Sequence, residues 1–246
     1  MKYTYLLIDL FSVLVPFLLS FHPKIKFYKN WPAIFPAMLI TGSLFIGWDM
    51  YFTHLRIWGF NPAYLIGIYI GNLPLEEMLF FLCIPYACVF TYHCLHTLIQ
   101  KTISKKVEMV VSCVLLVASV LLAAIFRSLN YTAYTFALLA LLIFGARLIR
   151  KVQWLPAFYL TYLILLVPFL IVNGLLTGTG LHSPVVWYDS TQILNVRILT
   201  IPVEDVFYGM DLILLNMLIY SWIGKRSYLQ NKMRRKTIAG NKFKLS

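Results

Sequence analysis

The chain has 246 residues, is 61% hydrophobic and only 12% charged, and carries a net charge of +12. Its apolar runs reach the roughly 20 residues that a helix needs to cross a bilayer, which excludes an ordinary soluble domain. The basic excess does not read as a nucleic-acid surface, because most of the 21 Lys and Arg residues follow alternate apolar runs, as cytoplasmic charges do under the positive-inside rule.

In chain order, seven spans are predicted, over residues 4–20, 32–52, 74–99, 107–126, 132–149, 154–173 and 202–223. Asp9 within the first run, and the lack of a small-x-small cleavage site, argue against a signal peptide. Lys24, Lys26 and Lys29 follow the first run, Lys101, Lys105 and Lys106 the third, and Arg147, Arg150 and Lys151 the fifth. A basic tail follows the seventh. The expected topology is an N-terminus outside and a C-terminus in the cytoplasm, in the cell membrane, with the tail favouring an anionic leaflet. The outer loop 53–73 contains Trp58 and Phe60, suited to the interface, and the turn Asn61-Pro62. Part of it is expected to re-enter the membrane. The fourth span, mainly Val, Leu and Ala, reads as a connector. Cys83, Cys88, Cys94 and Cys113 show no C-x-x-C spacing and read as packing residues.

Sliding the chain by 128 residues places Phe60-Asn61 on Tyr188-Asp189, Pro74 on Pro202, Glu76-Glu77 on Glu204-Asp205 and Phe80 on Tyr208. The expected fold is therefore an all-α integral membrane protein of seven transmembrane helices, with two parallel three-helix repeats joined by one connecting helix. The expected divisions are a first repeat over 1–100, a connector over 101–130, a second repeat over 131–224 and the basic tail over 225–246. Parallel repeats bring both acidic helix starts to one membrane face, where they can line one cavity.

In both copies Pro is expected in the first helical turn, where its missing N–H costs nothing, and two acids follow at once. Intramembrane acids are expensive unless paired, hydrated or protonated, so Glu76, Glu77, Glu204, Asp205, Asp49 and Asp211 are candidate catalytic groups. The expectation is a division of labour, with one carboxylate held by helix amides and another carboxyl kept protonated as a general acid. Glu76 and Glu204 are expected to carry most of the activity. Asp211 shares a helical face with Tyr208 and Glu204. Ring faces can stabilise a cation without trapping it. Most of the aromatics near the outer face suit an interfacial belt, but Phe80 and Tyr208 each stand one turn after a motif acid. His93 and His96 could hold a metal by spacing, but they lie far from the acid cluster, so no metal is assigned. No Gly-rich nucleotide loop and no Asp-rich magnesium motif for diphosphates is present in the sequence.

Pro74-Leu75-Glu76-Glu77 with Phe80-Phe81, the preceding Trp58-Gly59-Phe60-Asn61-Pro62, Trp48-Asp49, and Pro202-Val203-Glu204-Asp205 with Phe207-Tyr208 resemble the two halves of the small membrane lycopene β-cyclases. The resemblance covers spans one to three and five to seven and is to the fused form of a two-subunit enzyme. It implies that the paired acidic motifs are the catalytic centre and that Phe80, Phe81, Trp58, Phe60, Asn61, Asn173, Tyr188, Phe207 and Tyr208 contact substrate. Asn173 stands near the depth where the first half has Asp49. The implied reaction is a redox-neutral, cofactor-free cyclisation of the ψ ends of lycopene to β-ionone rings, through γ-carotene to β-carotene. The substrate would enter from lipid between helices, and the implied partners are membrane lipid and other carotenoid enzymes. Two other readings use the same acids: a carotenoid hydratase, in which water captures the cation, and a proton-coupled transporter. The latter would normally place its site between inverted repeats.

Overall fold

A computed structural model describes residues 2–242, with side chains described through Gly224. Its α-helices are α1 (Thr4–Leu19), α2 (Trp31–His54), α3 (Leu75–Cys94), α4 (Lys105–Ile125), α5 (Asn130–Phe144), α6 (Leu155–Leu176) and α7 (Val203–Lys242). Among the described residues, six helical segments are long and apolar enough to cross a membrane, the last being Val203–Gly224. α1 is apolar but shorter, at 16 residues. The side chains of the basic tail expected from residue 225 lie outside the described residues. α3 and α5 each run on into a π-helical turn, Leu95–Ile99 and Gly145–Ile149.

α1 packs on α3 and α5 on α7, so the first and third helices of each half lie together. Between halves the packing is unequal. α2 lies closely along α7, whereas its counterpart α6 packs far less closely on α3. α4 is more than the featureless connector expected. Its buried Glu108 accepts hydrogen bonds from Ser112 (2.8 Å) and from Arg147 of the π turn after α5 (3.0 Å), and the Ser112 hydroxyl meets the Tyr159 hydroxyl of α6 at 2.9 Å. A buried acid is tolerated because a cation and a hydroxyl satisfy it.

The loops between α2 and α3 and between α6 and α7, both expected outside, are ordered. They fold into short strands: β1 (Trp58–Phe60), β2 (Tyr69–Ile70), β3 (Leu73–Pro74), β4 (Val186–Tyr188), β5 (Arg197–Ile198) and β6 (Ile201–Pro202). β1 and β4 pair antiparallel, with Gly59 opposite Trp187, so strands that occupy equivalent places in the two halves pair with each other. A Cβ on Gly59 would collide with the Trp187 ring, and glycine lets the strands cross here. β2–β3 and β5–β6 are two-residue hairpins in matching register. The turn needs positive φ at its first residue. The first copy meets this with Gly71 (φ 65°) and the second with Leu199 (φ 58°).

These hairpins correct the reading of the prolines. Pro74 is extended (φ −68°, ψ 152°) and caps α3 rather than occupying its first turn, and Pro202 ends β6. Proline cannot donate a ladder hydrogen bond, so each strand stops there and the chain enters a helix. Glu76 and Glu77 are consequently the second and third helical residues.

Candidate active site

Adjacent residues on a helix point about 100° apart, and the structure uses this to separate the paired acids. Glu76 Oε1 accepts a hydrogen bond from the Ile66 amide at 2.7 Å. Glu204 Oε1 accepts one from the Leu194 amide at 2.7 Å and one from Thr132 Oγ1 at 2.6 Å. Each fully buried glutamate thus pins the loop that precedes its own helix, ten residues upstream.

Glu77 and Asp205 turn inward instead. Glu77 Oε2 accepts from the Tyr5 hydroxyl at 2.6 Å, and Asp205 Oδ1 accepts from the Tyr131 hydroxyl at 2.7 Å. Tyr5 and Tyr131 open the first helix of each half, so the two contacts are counterparts. The halves then diverge. The Asp49 carboxyl lies within hydrogen-bonding reach of that of Glu77, and Asp49 Oδ1 accepts from the Tyr208 hydroxyl at 2.6 Å. Asp205 Oδ2 meets no second acid but accepts from the Tyr188 hydroxyl at 2.9 Å and from Asn173 Nδ2 at 3.1 Å. A hydrogen bond between two carboxyl groups requires a proton on one of them. A carboxyl ringed by three donors is matched to the ionised form. Tyr188, in the loop strand, keeps its phenol proton: burial first, and then the Asp205 charge, push its pKa well above the usual range.

These groups line the strand-covered end of a cavity of about 250 Å³ between α1, α3, α6 and α7. The unequal packing of α2 and α6 leaves the space for this cavity on the α3–α6 side. Along α3 it extends from Glu77 to Thr91, about 21 Å at 1.5 Å per residue. Beyond the acids its walls are mostly apolar, including Ile84, Leu165, Pro168 and Leu212. At the acid end Trp58 meets Tyr131, Tyr188 and Tyr208 with ring centroids 5.0, 6.2 and 6.2 Å apart, and Phe80 lies 6.4 Å from Tyr5. These rings offer π faces around the carboxyls, and the β1–β4 pair roofs them.

Of the residues singled out in the sequence, Asp49, Glu77, Asp205, Trp58, Phe60, Phe80, Asn173, Tyr188 and Tyr208 converge on this cavity. The others do not line it. Glu76 and Glu204 face the loops. Asp211 is fully buried on α7 with neither carboxyl oxygen hydrogen-bonded within the described residues. Phe81 packs against Phe45, and Phe207 against Phe136. Asn61 serves the roof: its Oδ1 accepts from the Ala63 amide, and its Nδ2 donates to Ser183 Oγ and the Pro184 carbonyl of the other half's loop. His93 bonds the Ile25 carbonyl at 3.0 Å, which ties α3 to the loop between α1 and α2.

Tyr5 and Tyr131 were missed because they stand 126 residues apart, and a uniform slide of 128 does not superpose them. Their partners lie 72 and 74 residues downstream, so a register search helix by helix would have found them. Ser12 and Tyr162, which also line the cavity, carry no comparable sequence signal.

Comparison with curated proteins and with solved structures returns no match. A family model described as lycopene cyclase matches residues 2–95 and 128–223, two segments offset by 126 residues at their starts and 128 at their ends. These are the same offsets that relate Tyr5 to Tyr131 and Glu77 to Asp205. The matched segments hold both acidic motifs, both inward tyrosines and all six repeat helices, and the chain belongs to the lycopene cyclase family, membrane enzymes of carotenoid biosynthesis.

Proposed function

We propose that the chain cyclises the ψ ends of lycopene to β-ionone rings, with the Asp49–Glu77 pair as proton donor and Asp205 as proton acceptor. The observation that carries this reading is the meeting of two neighbouring carboxyls, Asp49 and Glu77, with a separate, donor-ringed carboxyl in one aromatic cavity. A proton from the pair adds to C2 of the terminal C1=C2 bond and leaves a cation at C1. The C5=C6 π electrons form the C1–C6 bond and move the cation to C5. Asp205 then removes the C6 proton, and the C5=C6 bond re-forms within the ring. Atoms and electrons balance without oxidant or reductant, and between turnovers Asp205 loses its proton to solvent while the pair is re-protonated from solvent, which restores the enzyme.

The aromatic walls support the cationic stages. Closure by the β1–β4 roof favours elimination over capture by water. Tyr208 and Asn173 are positioning residues, holding Asp49 and Asp205 by one hydrogen bond each. The self-complementary pairing of β1 with β4 supports two parallel repeats, divided as the sequence suggests, around an axis along the membrane normal. The positive-inside pattern of the basic residues supports a chain in the cell membrane with the roof outside and the tail in the cytoplasm.

Expression in lycopene-accumulating cells tests the reading. γ-Carotene and β-carotene should appear without any added nucleotide or metal. Unchanged lycopene beside verified membrane-inserted protein would refute it, and a 1-hydroxylated product would identify a hydratase.

A further inference from the structure

A second, shallower apolar groove lies on the outer surface between α1 and α6. It is lined by Leu7, Ile8, Phe11, Ile171 and Leu175, with Lys2, Tyr3 and Thr4 at its strand-bearing end. Phe11 and Ile171 are 69% and 63% exposed, so this face meets whatever surrounds the bundle, and in a membrane that is lipid. Two residues, Ser12 of α1 and Val172 of α6, border both this groove and the acid-bearing cavity. They form a neck where groove and cavity adjoin. α1 and α6 touch at few points, so little packing holds this seam shut. The neck side chains are small or slim. Ser12 Oγ is satisfied by its own helix, on the Ile8 carbonyl at 2.7 Å, and presents no unmet polar group to an apolar guest.

We infer that the α1–α6 seam is a lateral gate through which a long apolar polyene passes from the bilayer, with its reacting end at the acids and the rest of the chain in the seam. The inference rests on the cyclase reading for the identity of that polyene. The geometry favours sideways entry. The strand-bearing end of the cavity is roofed by the β1–β4 pair, and a water-insoluble hydrocarbon resides in the bilayer, where the groove opens. The cavity lies along the helices, as lipid chains do, so a polyene can slide in broadside through the α1–α6 seam without leaving an apolar environment. The cavity holds only one carboxyl cluster, at its roofed end. A substrate with two reactive ends must therefore withdraw through the seam and re-enter reversed, which makes the monocyclic product a released intermediate.

Two measurements on the full-length chain in native membranes test the gate. Ser12→Trp and Val172→Trp narrow the neck without touching a carboxyl. They should raise the apparent KM for lycopene by about tenfold or more with a smaller change in kcat. Val114→Trp on the lipid face of α4, which lines neither cavity nor groove, should leave both unchanged. Independently of turnover, a Leu7→Cys thiol should react more slowly with a membrane-permeant maleimide when lycopene is added, measured as the increment over the parent chain. If lycopene is cyclised but both Trp variants keep the parental KM and the thiol is not protected, the gate is refuted and the cyclase reading stands. If no cyclised product forms but lycopene still protects the thiol, the cyclase reading fails and the gate stands. Loss of both effects refutes both.

Discussion

Replacing Asp205 by Asn keeps the side chain's shape and removes its ability to take a proton. In the structure this carboxyl accepts from Tyr131, Tyr188 and Asn173. Hydrogen bonds to a charged group contribute about 1.5–3 kcal/mol against about 0.5–1.5 for neutral pairs, so the neutral amide weakens each of three contacts by roughly 1 kcal/mol. The hydroxyl rotors of Tyr131 and Tyr188 can turn to accept from the new NH₂, so the fold survives. The chemical cost is larger. Losing a general base slows turnover about 10²–10⁴-fold, equivalent to roughly 3–5 kcal/mol on the barrier. The assay is the rate of β-ring formation from lycopene in isolated membranes, divided by the amount of correctly inserted chain. Glu204→Gln, one residue earlier on the same helix, is the comparator, because among the described residues the Glu204 carboxyl accepts only from the Leu194 amide and the Thr132 hydroxyl. Per inserted chain it should keep turnover within about threefold of the parent, since it contributes no proton transfer. If Asp205→Asn keeps near-parental turnover while Glu204→Gln abolishes it, the inward and outward acids have been assigned the wrong way round.

Glu76→Gln and Glu204→Gln should instead lower stability by about 1–3 kcal/mol, the cost of weakening a buried charge-assisted contact to the loop, read as a lower midpoint of thermal unfolding in detergent. Gly59→Ala should cut turnover and expose the buried Trp58, because the added Cβ forces apart the β1–β4 crossing that roofs the acids. An unchanged Trp emission maximum and unchanged turnover would show that the crossing tolerates the methyl. Leu199→Gly should stabilise the protein by about 1 kcal/mol, since it relieves a left-handed backbone conformation that Gly71 already meets in the equivalent turn. A lower unfolding midpoint would show that the Leu199 side chain contributes more than the backbone strain costs.

The helices were legible because apolar length and basic flanks are strong signals, and the repeat was legible because the Pro and acid pairs fall at one spacing. The strands were not, since two- and three-residue strands such as Leu73–Pro74 have no period to detect and exist only because a partner strand lies beside them. The candidate site was half visible. The residue types and the membrane face could be read, but which acid of each pair faces the cavity depends on where the helix begins. That start is fixed by Pro74 lying in the β2–β3 hairpin rather than in the helix. The asymmetry between halves was legible in part, since Asn173 stands near the depth of Asp49, but the contacts of Asp49 with Glu77 and of Asn173 with Asp205 depend on how α2 and α6 pack, which no local pattern reports.

The central claim is that carboxyl groups pass one proton to C2 and take another from C6, with nothing else exchanged. Incubating lycopene with the membranes in D₂O and weighing the products tests it directly. The account predicts one solvent deuterium retained in each ring formed, so γ-carotene carries one and β-carotene two, with no added oxygen. Rings formed without deuterium, or products heavier by a water, would contradict it.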